Sequence, residues 1–351
     1  RRSYCYSSLS DGDFESMLQY LSGNYAVLEE KNVYGKIWYD GEEFGKRGRS
    51  VRAIYYMNIG TIPDEPKVSV FLEKKYIGGI DEGFAEKLFE GDVFILGGKT
   101  YQFLRGFGTS IYVSQAESRR PTVPAWHSET LPLSYELALA IEKFRTVASG
   151  MEEAEIAEKF MINEKTAKAV LGYLKEQEKF SILPKEGEFL VEEWKDDDDQ
   201  PNYIFHSVCG RKANDAIARV FAYEIGKKKG CSVATTISDY GFVLRIPKLK
   251  VITRLDIEEL FWLEDFESTL KIAIEGTEIL RRRFRNVASR GYLVLKRYPG
   301  REMPISRQQI NSEILLRLIK EELPDFPLLK EAYNEVMKEA MHVDEALNYI
   351  E

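Results

Sequence analysis

At 351 residues, with 44% apolar and 30% charged side chains, the chain has the length for two or three hydrophobic cores and the composition of a soluble globular protein. No apolar run approaches the roughly 20 residues that a helical membrane span needs, and no signal-peptide pattern is visible, so no membrane partner is expected. The net charge of −8 excludes a surface that is basic everywhere but leaves room for a local basic face.

The chain begins RRSYCYSSL, without an initiator Met and already inside a helical pattern, and is expected to be a piece of a longer polypeptide. Ser10 or Asp11 caps a helix carrying Phe14, Leu18 and Leu21 at helical spacing, and Gly23 ends it. Tyr25–Leu28 and Val33–Tyr39 read as strand-like pieces, so the segment resembles the tail of a winged helix. Residues 40–52 hold Lys46, Arg47, Arg49 and Arg52 around Gly45 and Gly48, a mobile basic loop. Val51–Asn58 reads as a strand stopped by Gly60, Pro63 and Pro66. Val68, Val70 and Leu72 alternate with polar residues, as a half-buried strand requires. Asp81 caps a short turn over Phe84 and Leu88, and two or three strands follow, broken by Gly97-Gly98 and Gly106/Gly108. Short strands with glycine turns predict a small barrel or curled sheet. The block closes on PTVPAW, whose prolines present Trp126.

Beyond it, Leu137, Ile141 and Phe144 fall on one helical face. Residues 152–180 predict helix, tight turn, helix, with Ile156 and Phe160 on the first and Asn163 capping the second over Ala167, Val170, Leu171 and Leu174. A hairpin turning at Glu186-Gly187 completes a second winged-helix pattern, for which nucleic-acid docking and protein packing are comparable readings. KDDDDQ is an acidic loop or boundary. NYIFHSVCG predicts a buried strand, and Lys212–Lys229 an amphipathic helix ended by Gly230. CSVATTISDYGFVLRIP predicts two strands around Asp239-Tyr240-Gly241, and residues 256–351 are mostly helical.

Catalytic motifs are not found. Gly97-Gly98-Lys99-Thr100 mimics the end of a P-loop, but Val93 stands where the first glycine belongs and a strand, not a helix, follows. It reads as a hairpin turn. Cys5, Cys209 and Cys231 form no CxxC, and His127, His206 and His342 have no second ligand at metal-binding spacing. That fits a reducing cytoplasm and makes a metalloenzyme an unsuitable reading. His206 and Cys209 are read as structural.

Binding signals remain. Residues 281–301 hold eight Arg/Lys and no acid: among them Arg281, Arg282, Arg283, Arg285, Arg290, Lys296 and Arg297, with Phe284, Tyr292 and Tyr298 interspersed. The run suits either a phosphate-tracking surface with stacking rings, or a solvated helix face followed by a buried strand over 291–295. Trp126 is either packed or held out to stack on an unpaired base.

VYGKIWYD, YYMNIGTIPDE, KLFEGDVFILGGKTYQF, PTVPAWHSE and LPLSYELA, followed by FHSVCGRKANDAIARVFAY and SDYGFVLRIP, occur in the order of the post-motor part of the Lhr (large helicase-related) family of superfamily 2, and most resemble its archaeal branch. The resemblance weakens after about residue 300. It implies an α+β fold: the end of a winged-helix domain (1–34), a small β-barrel (35–126), a winged-helix-like domain (127–196), an α/β part of the DEAD/H-associated region (197–250) and a mostly helical C-terminal region (251–351). It implies a nucleic-acid-binding region of an ATP-dependent 3′-to-5′ helicase, with single-stranded DNA or an RNA:DNA hybrid and the RecA-like motor domains of the same protein as partners. Trp126 resembles the family's tryptophan that contacts the tracking strand. Having no P-loop and no DExH box, the chain is expected to bind no cofactor itself, ATP and Mg belonging to the motor domains. A glycosylase-like repair enzyme and a protein-interaction domain docking a repair partner are the alternatives.

Overall fold

The computed structural model describes residues 3–31, 33–60, 67–85, 88, 90–107, 110–116, 131–197, 199–303 and 305–351. The fold is mixed α+β. It divides into two compact units, each made of two stretches of chain: residues 1–130 with 278–333, and residues 131–277 with 334–351.

In the first unit, α1 (Asp11–Ser22) starts where Ser10 Oγ accepts the Asp13 N–H at 3.0 Å and stops at Gly23, whose φ of 86° no side chain adopts cheaply. The expected strand at Tyr25–Leu28 is instead a single turn of helix, α2 (Ala26–Glu29), anchored by buried Leu28. Of Val33–Tyr39 only β1 (Ile37–Tyr39) is extended, paired with β2 (Phe44–Lys46). The expected strand Val51–Asn58 is the helix α3 (Val51–Asn58). Its inward positions are Val51, Ile54, Met57 and Asn58, a spacing of three and four that a strand cannot present to one side.

The curled sheet follows: β3 (Lys67–Leu72), β4 (Lys75–Asp81), the turn α4 (Glu82–Ala85), β5 (Val93–Leu96), β6 (Lys99–Phe107) and β7 (Ser110–Gln115). Five strands hydrogen-bond in the order β4-β3-β7-β6-β5, with β3 and β7 parallel and the other pairs antiparallel. Val68 and Val70 are buried as their alternation requires, with Phe94, Ile111 and Val113. Irregularities at Val70/Phe71 and Phe103/Arg105 bend β3 and β6, and so curl the sheet. Hydrogen bonding ends at β4 and β5 among the described residues, so the expected barrel is a half-barrel. Gly78 lets the two edges approach, because a Cβ there would meet Leu96 Cδ2 at 3.3 Å. Gly97 and Gly98, at φ 59° and 76°, form the two-residue turn that joins β5 to β6.

In the second unit, α5 (Tyr135–Ser149) buries Ala138, Glu142 and Ala148. Leu137, expected inward, is half exposed, so the helix is rotated by about one position from the predicted face. Helices α6 (Glu153–Lys159) and α7 (Glu164–Phe180) form the expected pair, with Asn163 capping α7 and Ile156, Ala167, Leu171 and Leu174 sharing a core. The hairpin predicted at Glu186-Gly187 has its turn, but only its second arm is a strand, β8 (Leu190–Lys195). That strand pairs instead with β9 (Pro201–His206), and the acidic run is the loop between them. Helix α8 (Arg211–Lys229), ended by Gly230, and the strands β10 (Ala234–Ser238) and β11 (Gly241–Arg245) lie as predicted. The sheet order is β10-β11-β9-β8, and the rings of Phe205 and Phe242 stack 4.7 Å apart with Phe221 of α8 edge-on to both. Two short helices follow, α9 (Arg254–Glu259) and α10 (Phe266–Ile274).

The chain then returns to the first unit as α11 (Glu278–Arg290), which buries Leu280, Phe284 and Val287. Residues 291–295, expected as a strand, form no ladder. The N–H groups of Leu293 and Val294 both donate to Ala288 O, folding the apolar segment back over the end of α11. A hairpin of β12 (Arg297–Tyr298) and β13 (Arg301–Glu302) leads to α12 (Ile305–Glu322) and α13 (Pro327–Asn334). The last helix, α14 (Val343–Ile350), belongs to the second unit. There the Tyr349 hydroxyl accepts the Val208 N–H at 2.9 Å and donates to Glu142 Oε1 at 2.6 Å.

Candidate nucleic-acid interface

Helix α3 has two faces with different work. On its inner face the side-chain amide of Asn58, 9% exposed, donates to Ile54 O and Arg297 O, both at 2.8 Å. Its Oδ1 accepts the N–H groups of Lys296 at 2.8 Å and Arg297 at 3.0 Å. Both donors and both lone pairs of the amide are thereby used, and α3 is tied to the segment bearing Lys296 and Arg297. On the outer face Arg52, Tyr55 and Tyr56 are exposed, three and four residues apart and therefore neighbours on the helix surface. Tyr55 and Tyr56 are 45% and 69% exposed and adjacent to one another.

The tyrosines are ordered by one another. The rings of Tyr55 and Tyr56 meet edge-on at 5.5 Å, and Tyr55 lies nearly parallel to Tyr292 at 6.1 Å and 25°. Tyr292 is held at φ 58°, a left-handed conformation costing a bulky residue on the order of 1 kcal/mol or more. Burial, and to a smaller degree the neighbouring Tyr55, raises the pKa of its hydroxyl, so the phenol is neutral at any physiological pH. Tyr298, on the adjoining hairpin, is 37% exposed.

The residues singled out in the sequence fall into several places. Lys46, Arg47, Arg49 and Arg52 are all exposed and run from the end of β2 to the first turn of α3, with Arg47 also donating to Ser22 O at 3.4 Å. Lys296 and Arg297 sit against α3 through Asn58. Arg281, Arg282, Arg283, Arg285 and Arg290 are distributed around α11. Among them Arg281 lies 3.3 Å from Glu278, Arg290 donates to Asn286 O, and Arg281 and Arg285 line a cleft against the curled sheet. Phe284 is fully buried and offers no ring for stacking. Trp126 lies outside the described residues. Tyr55, Tyr56 and Asn58 escaped the sequence analysis, although Arg52, Tyr55, Tyr56 and Ile59 form a stripe once the segment is wound as a helix.

The remaining polar groups act locally. His206 Nε2 lies 2.7 Å from Glu192 Oε2, and the Ser181 hydroxyl followed by His206 holds that carboxyl below its usual range. Burial pushes the Cys209 thiol far above its ordinary pKa, leaving it unreactive. Among the described residues no group of His, Cys, Asp or Glu could hold a metal ion, and no helix is long and apolar enough to cross a membrane.

Residues 1–123 match the family model for the winged helix domain of large helicase-related protein, and residues 183–351 match the DEAD/H associated model. An ATP-dependent helicase Lhr-Core protein 2 of Thermococcus barophilus is 51% identical over 99% of the chain, and an ATP-dependent helicase Lhr-Core of Methanocaldococcus jannaschii 50% over 100%. The chain spans only 41% of the length of either relative. The solved structure of Mycobacterium smegmatis helicase Lhr bound to ssDNA and AMP-PNP shares the fold, with a TM-score of 0.68 over 98% of this chain and 40% of that one at 19% identity. By sequence over its whole length and by fold, this chain belongs to the Lhr family of large helicase-related proteins.

Proposed function

We propose that the chain is the strand-guiding region of an ATP-dependent 3′-to-5′ helicase of the Lhr type, holding single-stranded DNA, or the DNA of an RNA:DNA hybrid, during cytoplasmic translocation and repair. ATP and Mg are bound by RecA-like motor domains of the same protein, and Trp126 contacts the strand. The helices α5 to α7 with the turn at Glu186-Gly187 serve as a winged-helix-like domain whose wing has lost one strand.

The observation that carries this reading is the outer face of α3. An exposed pair of tyrosines, ordered by Tyr292 and anchored by Asn58, lies on the helix that bears Arg52 and that holds Lys296 and Arg297. Unpaired bases stack on such rings with about 1–3 kcal/mol each, whatever their sequence, while the cations neutralise phosphates. A duplex hides its base faces and gains nothing from the rings. The test is fluorescence anisotropy of labelled oligo-dT and of the matching duplex at several salt concentrations. Affinity for the single strand should fall with salt by about 0.7 log units per log unit for each phosphate neutralised, and exceed that for the duplex. Salt-insensitive binding, or preference for the duplex, overturns the reading.

A further inference from the structure

Each of the two irregularities in the curled sheet turns one side chain outward. Val70 of β3 pairs with Gly78 and Phe71 with Tyr76, so Ile77 of β4 is the extra residue of a bulge. Val113 of β7 pairs with Phe103 and Tyr112 with Arg105, so Leu104 of β6 is the extra residue of another. Unbroken alternation would put Tyr76 on the side of buried Ile80, and Arg105 on the side of buried Tyr101 and Phe103. Both emerge on the outer face instead: Tyr76 is 58% exposed, and Arg105 is exposed as well.

The bulges complete a row. Phe71 is the register partner of both Tyr76 and Tyr112, and Tyr112 is that of Arg105, so the four lie side by side across β4, β3, β7 and β6. The Phe71 ring meets Tyr76 edge-on at 5.8 Å and lies nearly parallel to Tyr112 at 5.9 Å and 27°. Arg105 holds its guanidinium carbon 5.3 Å from the centre of the Tyr112 ring. Packing between neighbouring strands needs no bulge, and a bulge gives up ladder hydrogen bonds. Because Val68, Val70, Ile111 and Val113 face the core, Ser69, Ser110 and Ser114 share the outer face with the rings. A protein interface sets its aromatic anchors in a wider apolar core. Rings in line on a polar sheet, with a cation at one end, suit unpaired bases and a phosphate.

We propose that the outer face of the half-barrel is a second platform for an unpaired nucleic-acid strand, with a base stacked on Tyr76 and a phosphate on Arg105. The proposal rests on the strand-binding reading above and adds to it a surface built from other residues than those of α3. Bases and phosphates are common to DNA and RNA, so the platform takes either as a single strand.

The experiment titrates the chain with labelled oligo-dT and oligo-U by anisotropy at several salt concentrations. Tyr76→Ala should weaken binding about five-fold or more with the salt slope kept, and Tyr76→Phe, which restores the ring, should restore the affinity. Arg105→Gln should lower the salt slope by about 0.7, the loss of one phosphate contact. Irradiating the parent with a strand carrying 5-iodouracil, and mapping the adduct by mass spectrometry, needs no variant and should mark Tyr76 or Tyr112. Adducts confined to other peptides, or Tyr76→Ala and Arg105→Gln both binding as the parent does, overturn the proposal. A parent that binds neither strand overturns the strand-binding reading and the platform together. Binding that depends on Tyr55 and Tyr56 but not on Tyr76 or Arg105 overturns the platform alone.

Discussion

Asn58 is the residue on which the tyrosine face depends. Replacing it by Ala leaves the N–H groups of Lys296 and Arg297 without their acceptor, and Asn58→Ala should cost about 1–3 kcal/mol of stability in denaturant unfolding. Single-strand affinity should fall with it as α3 loosens from its support. Tyr56→Ala separates binding from folding, because a ring 69% exposed contributes little to the core. Its stability should stay within about 0.5 kcal/mol of the parent. Oligo-dT affinity should fall by about five-fold or more, measured by anisotropy.

Glu142 gives a pH-dependent prediction at the same scale. Burial, the largest cause, raises its pKa in spite of the hydrogen bond from Tyr349. The folded state therefore binds more protons than the unfolded state between the ordinary glutamate pKa and the raised one. Stability from this group is fully present below that interval and is lost as pH rises through it. Glu142→Gln should flatten the slope of stability against pH just above the ordinary carboxylate range, and an unchanged slope would place the titration elsewhere. The same residue explains why α5 departs from its predicted face. Glu142 turns inward because it meets a tyrosine 207 residues further along the chain, which rotates α5 and leaves Leu137 outside.

Among the elements, those closed by local chemistry were legible. Ser10 and Gly23 delimit α1, Asn163 starts α7, Gly230 ends α8, and Gly97-Gly98 makes a two-residue turn, each through hydrogen bonds or dihedrals set by its own neighbours. Elements decided by distant contacts were not. Val51–Asn58 contains β-branched and aromatic residues that suit either state, and as a helix it brings Asn58 to a segment 238 residues later, a contact no local pattern announces. The apolar 291–295 segment likewise needs no strand partner once it folds over α11. The half-barrel makes its own prediction. Gly78→Val places a branched side chain at φ 153° against Leu96, and should destabilise the protein by about 1–3 kcal/mol in a thermal or denaturant melt. Gly97→Ala, where a Cβ meets nothing within 4 Å, adds only the strain of its dihedral and should cost less.

At the scale of the whole molecule, the ordered blocks of the sequence revealed the family, but not that each unit is assembled from two separated stretches. That return of residues 278–333 to the first unit explains the division of the basic run. Its beginning, Arg281 and Arg285, lines a cleft against the curled sheet, and its end, Lys296 and Arg297, is brought to α3. A count of charges along the chain could not show that division, because it is set by which distant segment the fold places beside each part of the run. The most direct test of the account compares the parent with Tyr55→Ala/Tyr56→Ala for oligo-dT binding across a range of salt. The double variant should bind about ten-fold or more weakly at every salt concentration with an unchanged salt slope, since rings are lost and cations kept. Equal affinity of parent and variant would contradict the claim that these exposed tyrosines hold the strand.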